Sequence, residues 1–266
     1  MIKLKTSLFL LVIVFANALT INAFASPVAK NTGAYFELKV YHFSNSSQEA
    51  TIDSFLQYQY VPSMNASGIS NIGIFKATAN DTATDKRVYV FTPFKSLKQW
   101  ESISKDVYRF EQAANGTTGY VDAAYNKPVF GRIENIFLRA FDLMPKVAPS
   151  KLTGPKSQRV YELRSYEGTS EKIHRNKVRM FNEGGEVPLF ERLGFNAVFY
   201  GAVLFGCKMP NLMYMTSFEN MNSRTEHWKA FRADPEWEKL SAMPEYQRNV
   251  SQNEIVFLRP TEYSQL

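Results

Sequence analysis

From Tyr35 onward the chain alternates apolar and polar residues in short runs, separated by stretches with helical periodicity. "YFELKVY" (35–41) sets Glu37, Lys39 and Tyr41 on one face of a strand. "VYELRSY" (160–166) sets Val160, Glu162, Arg164 and Tyr166 on one face and Tyr161, Leu163 and Ser165 on the other. "RVYVFTPF", "NIFLRA", "NAVFYGAV", "NLMYMTSF" and "NEIVFLR" read as further strands. Between them, 170–182 reads as a helix with Ser170 as its N-cap, broken by the glycines at 184 and 185. Pro188 suits the first turn of a short following helix and Gly194 its C-terminal cap. "SRTEHWKAF" places Trp228 and Phe231 on one helical face, and "ADPEW" restarts a helix with Asp234 as cap and Pro235 in its first position.

These elements are written twice. Glu37 and Tyr41 match Glu162 and Tyr166 at an offset of 125 positions, Pro62 and Gly68 match Pro188 and Gly194 at 126, and Tyr89 matches Tyr214 at 125. Arg139 matches Arg259 at 120. Matches in fixed order with slowly drifting offsets mean two copies of one fold. Each copy reads βαββαβ, a ferredoxin-like unit with helices on one face of a four-stranded antiparallel sheet. The bare sheet face needs a partner, and the other copy supplies it face to face. The expected fold is α+β: tandem ferredoxin-like repeats forming a pseudo-dimeric α+β barrel. The proline-rich stretch 143–155 marks the boundary, with an N-terminal domain at 26–150 and a C-terminal domain at 151–266. Leu163 is then expected under the helices, and the Glu162, Arg164, Tyr166 row inside the barrel, across from Glu37, Lys39 and Tyr41.

Residues 1–25 read as an export leader: Lys3 and Lys5, an apolar run from Leu8 to Ala16, and an A-x-A pattern at Ala23 and Ala25. The run is short for a membrane span, which takes roughly 20 apolar residues, so no stable membrane insertion is expected once the leader is removed. A periplasmic or secreted protein follows. Removing the leader lowers the formal charge from +6 to +4, and the remaining basic residues are dispersed, which argues against nucleic acid as a partner. Cys207 is the single cysteine, so no intramolecular disulfide forms. Five Asn-X-Ser/Thr sequons occur, at Asn45, Asn65, Asn80, Asn115 and Asn249, and they matter only in a eukaryotic secretory pathway.

"YELRSY", the tryptophan after the third strand and "FRADPEW" together resemble the NIPSNAP domain, a branch of the dimeric α+β barrel superfamily. The likeness spans about 160–259, with "YFELKVY" and "IFLRA" as its traces in the first half; "EGGEVPLFERLGF" and "MPNLMYMTSFENM" are similar to exported bacterial members. The resemblance implies the barrel fold. Of activity it implies little: mitochondrial members are associated with vesicular transport and organelle quality control, and other branches of the superfamily include monooxygenases, haem-degrading enzymes and isomerases. A histidine often found on the third strand in the family stands here as Tyr214, and as Tyr89 in the first copy.

No H-x-H, H-E-x-x-H, C-x-x-C or G-x-S-x-G spacing is present, so neither a metal nor a cofactor is expected. His174 lines up with Val178 and Phe181 on its helix. His42 is expected to face the helices and His227 to be solvated. The candidate ligand-binding set is Glu162, Arg164, Tyr166, Tyr214 and Arg259, with His174 beside it; Arg164 would hold an anionic oxygen and the tyrosines a polar head. The alternative is a filled, hydrogen-bonded seam. Two function classes follow: a non-enzymatic protein binding a small apolar or aromatic molecule or a partner surface, and a cofactor-independent oxygenase or isomerase using the barrel cavity. A cavity of roughly 300 Å3 or more separates the first two uses of the interior from a packed one. An exposed patch around Phe190 and Leu193 would mark a partner-binding face.

Overall fold

The first strand of each half is flanked on both sides. β1 (Tyr35–Phe43) lies between β3 (Lys86–Phe94) and β4 (Arg132–Ala140), and β5 (Val160–Glu167) lies between β7 (Asn211–Phe218) and β8 (Gln252–Pro260). β2 (Gly73–Ala77) pairs with β3, and β6 (Ala197–Phe205) with β7, giving each half the strand order of a ferredoxin-like sheet. The computed structural model describes residues 34–105, 119–148 and 150–266. The expected leader, residues 26–33 and the Asn115 sequon lie outside them.

The two sheets face one another across the interior, as expected, and also join by their edges. β2 pairs with β8 and β4 with β6, so eight antiparallel strands close one barrel. The reason is physical: each open sheet leaves two edges of unpaired N–H and C=O groups, and closure pairs part of each edge with the other sheet. The C-terminal tail strengthens the β2 side. Gln265 N–H donates to the Ile72 carbonyl at 2.9 Å, Ile74 N–H donates to Ser264 Oγ at 3.0 Å, and Leu266 is buried in the barrel core.

The helices form where the capping residues predict. α1 (Ser46–Phe55) is capped by Asn45 and runs through a wider turn at Leu56–Tyr60 into α2 (Val61–Ala66); α3 (Leu97–Ser104) is capped by Ser96. In the second half, Ser170 caps α4 (Glu171–Asn182), and Gly185, at φ 93°, opens α5 (Glu186–Arg192). Asn220 caps α6 (Met221–Arg232), and Asp234 caps α7 (Pro235–Ala242). One apolar cluster joins β1–β4 to α1 and α2, and another joins β6 and β7 to α4, α5 and α6.

A third cluster fills the barrel and takes side chains from all eight strands. An eight-stranded barrel is just wide enough for side chains to fill. Here Phe91 stacks on Phe199 at 4.6 Å, Phe36 meets both, and Phe75 lies 4.7 Å from Tyr161. Leu38 and Leu163 sit in this cluster, so the expected facing of the strands is reversed. Glu37, Lys39, Glu162, Arg164 and Tyr166 point outward, beneath the helices, and Leu163 points into the lumen. The strand backbone around a closed lumen is committed to pairing between strands, whereas a helix layer can bring arginine and indole N–H groups to a buried carboxylate.

The register also corrects the repeat alignment. Glu37 faces Thr92 and Glu162 faces Thr216, an offset of 124 on these strands. Tyr214 therefore corresponds to Val90, not Tyr89. A slip of one residue changes the face: Tyr89 is in the lumen cluster and Tyr214 under the helices.

Candidate functional site

The outward row of β5 forms a buried polar cluster. Glu162 is fully buried and accepts five contacts. Arg164 reaches its Oε1 with Nε and a terminal nitrogen, each at 2.7 Å; Arg224 spans both oxygens at 2.8 Å; and Trp228 donates its indole N–H to Oε2 at 2.8 Å. Arg164 also donates to Tyr166 Oη at 2.9 Å, and Tyr166 Oη lies 2.9 Å from Tyr214 Oη. Its guanidinium carbon sits 3.9 Å from the centre of the Trp228 ring. Burial alone would raise the Glu162 carboxyl, but hydrogen bonds from Arg224 and the charge of Arg164 outweigh it and hold the group below its ordinary value. Burial, with Tyr166 beside it, pushes the Tyr214 phenol well above its ordinary value.

α6 makes this arrangement possible. Arg224 and Trp228 are four residues apart, so both project from one helical face onto β5. The helix starts at a side-chain cap from Asn220 to Ser223 N–H at 2.9 Å. Arg224 is not among the residues the strand pattern points to; its i,i+4 spacing to a core-facing tryptophan is the sequence signal for it. A second buried ion pair, Lys177 to Glu186 at 2.8 Å, ties α4 to α5, and the Lys177 ammonium lies 4.7 Å from the Phe181 ring centre.

The first half repeats the theme with fewer charges. Trp100 donates to Glu37 Oε1 at 3.0 Å, Asn135 donates to the same oxygen at 2.9 Å, and Lys39 pairs with Oε2 at 3.2 Å. Tyr41 Oη lies 2.9 Å from Tyr120 Oη. Both rows are seams in which buried groups satisfy one another, the alternative the sequence left open.

The remaining candidates scatter. Arg259 does not reach Glu162; it bonds Asp81 at 2.9 Å beside an open cleft of about 650 Å3 along the β2–β8 seam. The basic groups there are also paired, Lys76 with Glu49 and Asp53. His174 is partly buried on α4, and burial, then Arg175, lowers its pKa. His42 faces the end of the lumen, not the helices, with Nδ1 2.8 Å from Asp85 and Nε2 3.3 Å from Glu134. His227 is half-buried rather than solvated, edge-on to Phe195 and Phe218 with Nδ1 2.7 Å from the Ser223 carbonyl. Phe190 is buried and Leu193 partly so, hence no exposed patch exists there. Among the described residues, no group of three or more His, Cys, Asp or Glu could hold a metal ion, and no helix is long and apolar enough to cross a membrane.

The lumen holds a recess of about 40 Å3 at the end where the β6–β7 hairpin and the starts of β3, β4 and β8 meet. Leu38, Val40, Leu163 and Met213 wall it, Ser165 and Asn211 line it, and Cys207 and Lys208 stand on the hairpin beside it. It is far below the size of a drug-like ligand pocket, about 300 Å3 or more.

Residues 161–265 match the family model described as NIPSNAP. Among solved structures, a candidate monooxygenase from Lactobacillus acidophilus NCFM is similar at TM-score 0.56 and 12% identity, covering 86% of this chain and 94% of that one. A candidate monooxygenase from Fusobacterium nucleatum is similar at TM-score 0.56 and 6% identity, covering 86% and 93%. A NIPSNAP family protein from Agrobacterium tumefaciens aligns at TM-score 0.37 and 21% identity, over 41% of this chain and 99% of that one. For the Lactobacillus and Fusobacterium proteins, the likeness at these identities is one of fold. A search of curated proteins found no match.

Proposed function

We propose that this chain is an exported, non-enzymatic binding or interaction protein, with the barrel as its rigid frame. One observation carries the reading: the charged row expected to act on a ligand is saturated from within. Five contacts converge on the Glu162 carboxylate from Arg164, Arg224 and Trp228. Catalysis by Arg164 would require its guanidinium to leave a buried carboxylate, at a cost of several kcal/mol. The other reading, a cofactor-independent oxygenase or isomerase, needs an aromatic or apolar substrate inside the barrel. Phe36, Phe75, Phe91, Tyr161 and Phe199 already occupy that volume. The names of the two barrel neighbours do not alter this, since fold does not carry function.

The test is a turnover and oxygen-consumption screen with small aromatic substrates, run on the parent chain and on Arg164→Ala. No turnover is expected from either. Turnover in the parent that disappears in a still-folded Arg164→Ala would overturn the reading in favour of an enzyme. Export is tested separately by N-terminal analysis of the protein recovered outside the host cytoplasm, where Ser26 is the expected first residue.

A further inference from the structure

The recess at the barrel end holds polar groups that the chain does not satisfy. Asn211 is 1% exposed and Ser165 3%. Neither the oxygen nor the nitrogen of the Asn211 amide has a partner, and Ser165 Oγ has none. Both side chains point into the lumen: Ser165 lies opposite Met213 on the neighbouring strand, and Asn211 opposite Glu167. A buried amide left without both of its hydrogen-bonding functions is rare and costly in a native structure.

The surroundings restrict what fits. Arg87, Glu134, Lys208 and Glu254 also line the recess and are already neutralised in pairs. Arg87 binds Asp85 at 3.1 Å, Lys208 binds Glu254, and Glu134 binds Arg132 at 3.0 Å. A charged guest would find no free counter-ion while losing its hydration. At about 40 Å3, the recess has room for about three water-sized groups, each needing about 10–15 Å3. The guest must both donate to the Asn211 oxygen and accept from its nitrogen, and part of its remaining surface meets Leu38, Val40, Leu163 and Met213.

We infer that this recess is a binding site for a neutral group of about three heavy atoms that both donates and accepts hydrogen bonds, a primary carboxamide being the chemistry that matches Asn211 and Ser165 together. Two amides can exchange a reciprocal pair of hydrogen bonds, and the Ser165 hydroxyl supplies a third contact. The site is separate from the Glu162 seam, and its existence does not depend on the function proposed above. The amide can be a free small molecule or the end of a larger one that enters from the hairpin side.

The experiment is a titration of the full chain with acetamide, following the Asn211 side-chain amide and the Met213 methyl signals by NMR. A saturable shift of both is expected, whereas acetate, of nearly the same shape but charged, gives none. Ser165→Ala should weaken acetamide binding about fivefold, the equivalent of one neutral hydrogen bond. Asn211→Leu should abolish the Met213 shift while leaving the chain folded, because it replaces an unsatisfied amide by an apolar group of similar size. A comparison of acetamide with a short peptide carrying an asparagine side chain separates a free amide from a peptide-borne one. Either one binding supports the site. A folded parent chain that shows no saturable shift with either probe, an equal response to acetate, or an unchanged Met213 response in Asn211→Leu or Ser165→Ala would overturn the proposal. In those cases the recess holds only water.

Discussion

Trp228 donates its indole N–H to Glu162 at 2.8 Å, and 3.9 Å from the same ring lies the Arg164 guanidinium carbon that also serves Glu162. The first half repeats the pairing with Trp100 and Glu37 at 3.0 Å. In both halves a helix that follows the third strand is pinned to the central strand through a carboxylate that solvent barely reaches. The pairing is a structural lock, and its consequences for stability can be measured.

Glu162→Gln keeps the shape of the side chain but removes the charge facing Arg164 and Arg224. Urea unfolding should show a loss of about 3–5 kcal/mol, the range for breaking a buried ion pair from one side. Trp228→Phe removes one donor of several and should cost about 1–3 kcal/mol. If both variants unfold with the parent chain, the seam contributes nothing and the lock is refuted.

The same carboxylate sets an acid limit. The Glu162 carboxyl is held below 4.5 in the folded chain, despite burial, by Arg224, Arg164 and Trp228. A depressed folded pKa contributes stability that is complete above the unfolded value and is lost as pH falls through the folded one. Stability measured from roughly pH 6 to pH 3 should therefore decline in the parent chain and decline less in Glu162→Gln. His174, lowered from 6.5 by burial and by Arg175, adds a separate decline that begins nearer neutrality. His174→Gln should remove that earlier portion and leave the later one.

Lys177 and Glu186 form the second buried pair, at 2.8 Å. Lys177→Met alone leaves the Glu186 carboxylate without its ion partner and should cost about 3–5 kcal/mol, whereas Lys177→Met with Glu186→Leu should recover most of it. A double-mutant cycle by chemical denaturation reads the coupling directly. Additive losses would show that the pair is not coupled.

The barrel lumen is a packed core, so emptying it should be visible. Phe199→Ala removes a ring that stacks on Phe91 at 4.6 Å and touches Phe36 at 5.4 Å. A loss of about 3–5 kcal/mol is expected, together with uptake of xenon, which enters dry apolar cavities. A parent chain that takes up xenon in the lumen would contradict the packing described here.

Much of the architecture was legible along the chain because it is local. Ser170, Asp234, Pro235 and the glycines at 184 and 185 mark helix ends through their own backbone preferences, and the structure places the helix ends there. The doubled Glu-x-Lys/Arg-x-Tyr strand pointed to a repeated unit, and each half has the same strand order. The site was less legible. Alternation distinguishes two faces of a strand but does not say which face a closed barrel encloses. Arg224 and Trp228 reach Glu162 from more than 60 positions away. The one-residue misalignment of Tyr89 with Tyr214 shows the same limit, since register is set by partners across the sheet.

The sequence by itself determined the elements, their order and their duplication, because periodicity, caps and breakers act within a few residues of one another. Only the tertiary structure decided that the apolar faces turn into the lumen and the charged faces turn under the helices. That choice depends on edge closure, which commits the strand backbone to pairing, and on α6, which brings an arginine and an indole to a carboxylate that would otherwise lack them.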